Sequence, residues 1–515
     1  MGDKANDAVR VNGADLRCRV VGEGGNLGFT QRGRIEYALA GGRVNTDAID
    51  NAGGVNCSDH EVNIKILLDS VVAAGDLTGK QRNELLAEMT DAVADLVLRG
   101  SYRQTEALSL ARAQAPAMLD VHDRLMRSLE QAGRLDRALE ALPDAETIGD
   151  RRSARIGLTQ PEVAVLLAYA KITVYAALLD SDMPEDPYLS RTLAEYFPAP
   201  LPERFPEAME RHRLRREIIA TYVTNSMVDR AGSTFAYRMH EDTGAPASDI
   251  ARAYAAASEV FDMRSFWADV EALDLAVDAD TQVAMLLDAR RLVERATRWL
   301  LRTRRRPLDI AETVERFADG ARAIAEALPG ILAGDDRAGW DARVEELGEA
   351  RVPDAVARRV AGLGALFSAL DIVEVSTATE RSVEEVAALH YELGARVHLH
   401  WLRDRIAALP RDDRWQAMAR AALRDDLFSL HAELTADVLR SAPADAATTA
   451  AAQLDAWLAE NEGPAERTLG VLDDIRTSGS YDLTTLPVAL REVRDLIRAG
   501  EAEPSRAPLP APAGG

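Results

Sequence analysis

The sequence predicts a mainly α-helical protein in which residues 1–75 form a short α/β segment and a large all-helical region follows. The chain is 47% apolar but only 5% aromatic. The hydrophobic core must therefore be built mainly from Ala, Leu and Val. This composition favours helices, because Ala and Leu rank highest in helix propensity. Beyond Gly75, apolar residues recur with the period of an amphipathic helix, whereas strand-like runs ending in glycine-rich turns lie before it. At 515 residues the chain has room for two to four domains.

Residues 16–21 predict a short strand that ends in a glycine-rich turn. Residues 30–40 predict a helix with Thr30 as its N-cap and the glycines at 41–42 as its end. Residues 43–46 predict a second, weak strand.

Residues 51–57 predict a loop, and Ser58 is expected to cap the helix that follows. Residues 1–75 therefore predict a β-turn-α-β-loop-α unit, which is an incomplete Rossmann-like segment. A complete domain of this kind needs several parallel strands covered on both faces.

The rest of the chain is expected to be helical. We expect connecting helices at 76–155, a helical C-terminal domain at 156–500 and a disordered, Pro- and Ala-rich tail at 501–515. Capping boxes at 159–162 and 382–385 mark two helix starts.

Charge and composition exclude several functions. A net charge of −23 opposes binding to nucleic acid. No run of 18 apolar residues and no signal-peptide pattern is present, so no membrane partner is expected. Cys18 and Cys57 are too few for a disulfide framework. A cytoplasmic protein is the simplest interpretation.

The turn after the first predicted strand has two interpretations. Gly22 and Gly24 could begin a pyrophosphate-binding loop, but Leu27 stands where the third glycine of that fingerprint belongs. Alternatively, the amide of Asn26 could bind the nicotinamide end of a dinucleotide, since ligands collect at the carboxyl ends of strands in open α/β sheets. The second interpretation fits better.

The second turn offers similar chemistry. Asn51 supplies another amide, and the glycines at 53–54 would let the main chain pass close to a ligand. Ser58 could simply cap a helix, or it could also donate its proton to a carboxylate at the positive helix end. The two roles are compatible.

Residues 4–68 resemble the end of the coenzyme domain of glutamate dehydrogenases, most closely the large NAD-specific bacterial type. The resemblance rests on the motifs Gly-Glu-Gly-Gly-Asn at 22–26 and Asn-Ala-Gly-Gly-Val-Asn-Cys-Ser-Asp-His-Glu at 51–61. Residues 158–171 and 214–221 are also similar to the large type. The resemblance implies cofactor contacts at Gly24, Gly25, Asn26 and Asn51, and substrate contacts at Gly54, Val55 and Ser58.

The resemblance implies oxidative deamination of L-glutamate to 2-oxoglutarate and ammonia with NAD, in a homo-oligomer. The family's catalytic lysine and pyrophosphate loop belong to an earlier region, and none of the four lysines here has a matching context; Lys80 is expected on the surface. We therefore expect no catalytic residue in this chain, which would be an inactive C-terminal fragment or a separately encoded tail. Its partner would be the missing N-terminal part or its own oligomer. The alternative is a non-catalytic helical scaffold or regulatory subunit that completes another chain's coenzyme domain.

No metal site is expected. Cys57 and His60 have no second ligand pair at zinc spacing, and His398 and His400 would point to different faces of one predicted helix. The arginines at 290–306 are interpreted as a solvated face paired with carboxylates, although an acidic ligand stays possible. Those at 211–216 could dock onto an acidic catalytic part.

Overall fold

The computed structural model describes residues 7–410, 414–441 and 449–501. These residues form two compact units. Those of unit 1 fall within Met1–Ser258 and Val293–Thr313, and those of unit 2 within Glu259–Leu292 and Val314–Gly515. Of the tail predicted at 501–515, Glu501 is the last residue of a helix and residues 502–515 lie outside the described residues.

Both units are built from α-helices, which confirms the mainly α prediction. Unit 1 contains α1 (Gln31–Leu39), α2 (Asp47–Asp50), α3 (Ala52–Ala74), α4 (Gly79–Glu88), α5 (Thr90–Ala113), α6 (Ala115–Gln131), α7 (Ala145–Ser153), α8 (Gln160–Leu179), α9 (Arg191–Tyr196), α10 (Leu201–Arg204), α11 (Pro206–Glu210), α12 (Arg215–Ala231), α13 (Phe235–Thr243) and α14 (Ala247–Val260), which ends just inside unit 2. Short 3-10 helices span Asp7–Val9, Gly13–Asp15, Met183–Glu185 and Pro187–Ser190.

The remaining helices belong to unit 2, except that α16 contributes to both units and α17 begins within unit 1. They are α15 (Met263–Glu271), α16 (Ala279–Thr303), α17 (Ile310–Ile331), α18 (Gly334–Glu349), α19 (Asp354–Leu366), α20 (Ala369–Thr379), α21 (Val383–Arg396), α22 (Leu399–Ala408), α23 (Arg414–Ser441), α24 (Ala450–Glu460), α25 (Glu462–Ser478) and α26 (Leu486–Glu501).

The two predicted strands are not formed. Among the described residues the only β pairing is one parallel bridge between Val20 and Arg43. It is held by hydrogen bonds from the Val21 amide to the Arg43 carbonyl (2.9 Å) and from the Arg43 amide to the Arg19 carbonyl (3.0 Å). Parallel strands persist when neighbouring strands pair with them and helices cover both faces, and no strand occurs among the described residues to extend the bridge.

The first predicted helix is confirmed. The Gly33 amide donates to the Thr30 hydroxyl oxygen at 3.0 Å, so Thr30 caps α1. Gly41 follows the helix with φ +96°, a conformation that favours glycine.

The predicted loop at 51–57 is wrong, and so is the predicted cap at Ser58. Helix α3 begins at Ala52, directly after Asn51, and ends at Ala74, which is followed by Gly75 with a φ of +87°. Gly53 and Gly54 have a low helix propensity. That is a weak effect which tertiary anchoring of the helix start overrides. Ser58 consequently lies in the second turn of α3 rather than at its tip.

Helix α8 is the centre of unit 1. It begins with the predicted capping box, because Glu162 accepts from the Thr159 amide at 2.7 Å. The same carboxylate is 1% exposed and forms a two-pronged ion pair with Arg151 at 2.7 and 2.8 Å. Helices α1, α5 and α12 pack against α8. The second predicted start is also confirmed, since Ser382 caps α21.

Helix α8 is also long and apolar enough to cross a bilayer, with a mean hydropathy of 1.7. Half of that apolar window is buried within the fold. Within the described residues, one other pair, α19 and α20, passes the same test only if the two helices count as one span, and it is bent by 61°.

Candidate functional site

The glycine-rich turn at 22–27 exposes a strained backbone. Asn26 and Leu27 both adopt left-handed conformations, with φ of 59° and 58°. Asn tolerates this region, but it is rare for a residue as bulky as Leu and costs free energy. Two hydrogen bonds hold the turn: the Gly25 amide donates to Glu23 Oε1 (2.8 Å) and the Leu27 amide to Asp47 Oδ1 (2.9 Å). Gly24, Gly25 and Asn26 are exposed.

A fully buried arginine links this turn to the rest of the site. Arg34, on α1, has no exposed surface. Its guanidinium lies 2.9 Å from Glu23 Oε2 and 2.7 Å from Asp50 Oδ2, and 3.7 Å from Asp47 Oδ1. It also donates to the Asn45 carbonyl at 3.0 Å. Buried charges are stable when paired and hydrogen-bonded in this way.

Arg34 was not among the residues predicted for the site. Arg34 lies three residues before the buried Tyr37, on the core-facing side of α1. The available signal for a buried cation was the acidic residues on both sides of α1, one in the glycine-rich turn before it and two in α2 after it.

Asn51 joins the two turns directly. Its amide nitrogen donates to the Glu23 carbonyl at 3.0 Å, and it lies 3.3 Å from the carbonyl oxygen of Asp47. The glycine-rich turn and the start of α3 therefore meet. The same contacts give the nitrogen of Asn51 a role inside the protein, in holding the turn.

The remaining predicted residues share one face of α3. Ser58 follows Asn51 by seven residues, close to two helical turns, so both lie on the same side of the helix. Gly54, Val55 and Ser58 are exposed, and Val55 has 74% of its surface accessible. Val62, one turn further, is 51% exposed. This partly apolar stripe, 54–62, is the exposed face of α3.

Each described lysine lies close to a carboxylate. Lys65 pairs with Glu61, also on α3. Lys80 is 88% exposed, as predicted, and lies 3.8 Å from Glu84. Lys171 is 2.8 Å from Asp229, inside unit 1. Burial raises the pKa of the Asp229 carboxyl, and the neighbouring Lys171 opposes that shift.

The backbone edge beside the Val20–Arg43 bridge borders an open groove. The groove has a volume of about 580 Å³ and is lined by residues 16–20 and 40–43 together with Tyr37. The groove therefore lies along the two segments that carry the bridge.

The other sequence candidates have structural partners. No group of three potential metal ligands occurs among the residues that the structure describes. His398 is not inside a helix as predicted: it adopts φ +56° and precedes α22. Arg215 and Arg216 pair with Glu210 (3.1 Å) and Glu185 (2.6 Å).

Unit 2 contains a buried histidine cluster. The rings of His390 and His431 stack with centroids 3.5 Å apart. His431 Nε2 lies 2.8 Å from the His390 carbonyl, so it carries the proton and donates it. His390 Nδ1 lies 3.0 Å from the Thr435 hydroxyl, and His400 Nδ1 lies 2.5 Å from Asp336.

Burial controls the ionisation of this cluster. Desolvation, reinforced by the neighbouring His400, lowers the pKa of His431 to about 3. Desolvation and the other two histidines hold the pKa of His390 well below its usual value. Burial alone would raise the pKa of Asp336, but its hydrogen bond from His400 and the charge of Arg403 lower it. His390 and His431 are thus held neutral near pH 7.

Comparison with known proteins identifies the family. A family model described as "Glutamate dehydrogenase, C-terminal" matches residues 155–495. A second, described as "Bacterial NAD-glutamate dehydrogenase, catalytic domain", matches residues 1–111. This chain belongs to the bacterial NAD-specific glutamate dehydrogenase family.

Three relatives carry the name NAD-specific glutamate dehydrogenase. Those from Halomonas elongata and Pseudomonas aeruginosa are each 45% identical over 97% of this chain and 31% of their own length. The one from Mycobacterium tuberculosis is 40% identical over 97% of this chain and 30% of its own length. The chain therefore spans about a third of the length of the curated relatives it matches.

Proposed function

We propose that this chain supplies the nicotinamide end of the active site of an NAD-dependent glutamate dehydrogenase. The reaction is the oxidation of L-glutamate to 2-oxoglutarate and ammonia. One observation carries the proposal: the Asn51 amide donates to the Glu23 carbonyl and so joins the glycine-rich turn to the helix that carries Ser58. The family membership supplies the reaction class.

Gly24, Gly25 and Asn26 would meet the cofactor. A side chain added at Gly24 would meet nothing within 4 Å, so the turn has open space in front of it. The carboxamide of nicotinamide has one donor group and one acceptor group, and the side-chain amide of Asn26 complements both. No hydrogen bond of the Asn26 side chain occurs within the described part of the chain. When bound, NAD accepts the hydride from the α-carbon of glutamate.

Asn51 would fix the cofactor turn and present its remaining amide oxygen beside it. Gly54, Val55 and Ser58 would line the substrate side. The Ser58 hydroxyl can donate to the side-chain carboxylate of glutamate, and such charge-assisted bonds are the stronger ones. Val55 would pack against the methylene groups of the substrate. Gly54 would let the substrate approach the helix backbone.

Proton transfer would come from residues outside those described. The reaction needs a positioned base and acid in a site closed to water, whereas Lys65, Lys80 and Lys171 each face a carboxylate. The groove of about 580 Å³ beside the Val20–Arg43 bridge would receive further strands and complete a Rossmann-like sheet. We propose that another part of the same enzyme, or another subunit of its oligomer, provides the proton-transfer residues and the further strands. We propose that this assembly is cytoplasmic.

The test compares variants of the complete dehydrogenase that contains this chain. Ser58→Ala should raise KM for glutamate about tenfold while KM for NAD changes little, because one hydrogen bond to a charged group is lost. Asn26→Ala should raise KM for NAD instead. Ser70→Ala is the matched control, since its hydroxyl is already bonded to the Leu67 carbonyl of the same helix.

The 515-residue chain alone should form no NADH from glutamate. Turnover by this chain alone would contradict the incomplete site. Unchanged KM values in both variants would instead favour the alternative, a helical scaffold or regulatory subunit.

A further inference from the structure

Helix α3 has an anchored side opposite the exposed face that carries Ser58. On the anchored side, Ile64, Leu67 and Leu68 are at most 2% exposed, and Asn63 is 6% exposed. Segment 191–214 contains the short helices α9, α10 and α11, and α11 packs against α3. This segment lies within the region matched by the C-terminal family model. Two polar side chains of this segment reach α3.

The first is Tyr196, the last residue of α9. Its hydroxyl accepts from Asn63 Nδ2 at 2.7 Å and donates to Asp59 Oδ2 at 2.8 Å. Its ring packs against that of His60 with centroids 4.7 Å apart. Burial, followed by the charge of Asp59, raises the pKa of Tyr196, which keeps the hydroxyl protonated and able to donate.

The second is His212, which precedes α12. Its Nδ1 accepts from the Leu214 amide at 3.0 Å, so the proton of the neutral ring lies on Nε2. Nε2 therefore donates to the Asn63 carbonyl at 3.0 Å. Burial lowers the pKa of His212, which favours this neutral form. Tyr196 therefore bonds to the side chain of Asn63 and His212 to its backbone carbonyl. We call these two contacts together the grip on α3.

These contacts fix the rotation of α3 about its axis. Asp59 directly follows Ser58, and consecutive residues of an α-helix differ by about 100° in direction. Holding Asp59 toward Tyr196 therefore sets the direction in which Ser58 points. Asn63 lies five residues from Ser58, about 7.5 Å along the helix.

We propose that Tyr196 and His212 are positioning residues. Through them, the C-terminal helical region orients the exposed face of α3 that carries Ser58 toward the substrate. The inference rests on the proposed function of Ser58. It gives the helical region a direct part in glutamate binding, since the grip is made by side chains of that region and not by the coenzyme segment itself.

Two measurements test the proposal on Tyr196→Phe. Hydrogen exchange of the 515-residue chain reports whether these contacts stabilise α3. Kinetics of the complete dehydrogenase report whether they orient the Ser58 face of α3 toward glutamate. Tyr169→Phe is the matched control: its hydroxyl donates to Glu140 at 2.8 Å, away from α3. His212→Phe removes the second grip, and His212→Gln keeps a donor.

We expect Tyr196→Phe to speed amide exchange across 52–63 about tenfold and to raise KM for glutamate severalfold with KM for NAD unchanged. His212→Phe should do the same, and His212→Gln should restore part of the loss. Tyr169→Phe should change neither measurement.

If amide exchange across 52–63 is unchanged in Tyr196→Phe, the Tyr196 contacts do not stabilise α3 and the proposal fails, whatever the kinetics show. Faster exchange with unchanged KM for glutamate overturns the positioning role. If Ser58→Ala also leaves KM for glutamate unchanged, the proposed function has failed and the positioning role fails with it. If Ser58→Ala raises that KM and Tyr196→Phe does not, the positioning role alone has failed.

Discussion

Arg34 makes the strongest prediction for the stability of the candidate site. Arg34→Met keeps a side chain of similar length but removes the cation from the three carboxylates around it. Two of these have little access to water: the side chains of Asp50 and Glu23 are 7% and 12% exposed. Asp47 is 31% exposed and can be solvated in part. The variant thus leaves two poorly hydrated negative charges without a positively charged partner.

The expected cost follows from this arrangement. Removing one partner of a buried ion pair destabilises a protein by about 3–5 kcal/mol, because the remaining charge is neither hydrated nor paired. For a large domain, about 2–3 °C is lost per kcal/mol, so the melting temperature of unit 1 should fall by about 6–15 °C. Amide exchange in the turn at 22–27 should rise together with that at the start of α3, since Arg34 and Asn51 hold both.

Differential scanning calorimetry and hydrogen exchange measure these two effects. Arg32→Met is the matched control, because Arg32 is an exposed residue of the same helix. Adding Asp50→Asn to Arg34→Met should recover part of the loss, as one unpaired charge disappears. Equal melting temperatures for Arg34→Met and Arg32→Met would refute the assignment of Arg34 as the buried link between the two turns.

Two further predictions concern other parts of the chain. Gly157→Ala should cost about 1–3 kcal/mol of unfolding free energy in a denaturant titration, because its Cβ would lie 2.2 Å from the backbone carbonyl carbon of Ala115. Gly149→Ala, a helix-interior change with open space around it, should instead gain about 0.5–1 kcal/mol, and equal effects would contradict the clash. In unit 2, the free energy of unfolding should fall as the pH drops below about 6.5, by about 1.4 kcal/mol per pH unit for His431. The reason is that His431 binds a proton in the unfolded chain, whereas in the folded chain it stays neutral until about pH 3. His431→Gln should flatten this slope in melting curves between pH 7 and 5, and parallel slopes in the two proteins would argue against a neutral buried His431.

Sequence reasoning predicted the local features well. Thr30, Thr159 and Ser382 were expected at helix starts, and each lies at one. Caps are recognisable because the residue type and its bonded amide lie within one turn of each other. The glycine and asparagine motifs likewise indicated the family, which the comparisons confirmed.

Sequence reasoning failed where a distant contact decides a local structure. A loop was predicted at 51–57, but the helix begins at Ala52, directly after Asn51, which is tied to the glycine-rich turn. The predicted strands at 16–21 and 43–46 rested on short strand-like runs next to glycine-rich turns. Such runs pair only where neighbouring strands exist, and the described residues give them one bridge.

The sequence by itself determined the helical character of this protein, its family and the residue types available for a nicotinamide site. All three follow from periodicity, composition and motifs within short windows. Only the tertiary structure decided that Arg34 is fully buried among carboxylates and that Tyr196 and His212 grip α3 from more than 130 residues away. The physical reason is that a buried ion pair or a side-chain hydrogen bond between distant segments leaves no periodic trace in the sequence, because its energy depends on desolvation and geometry created by the fold.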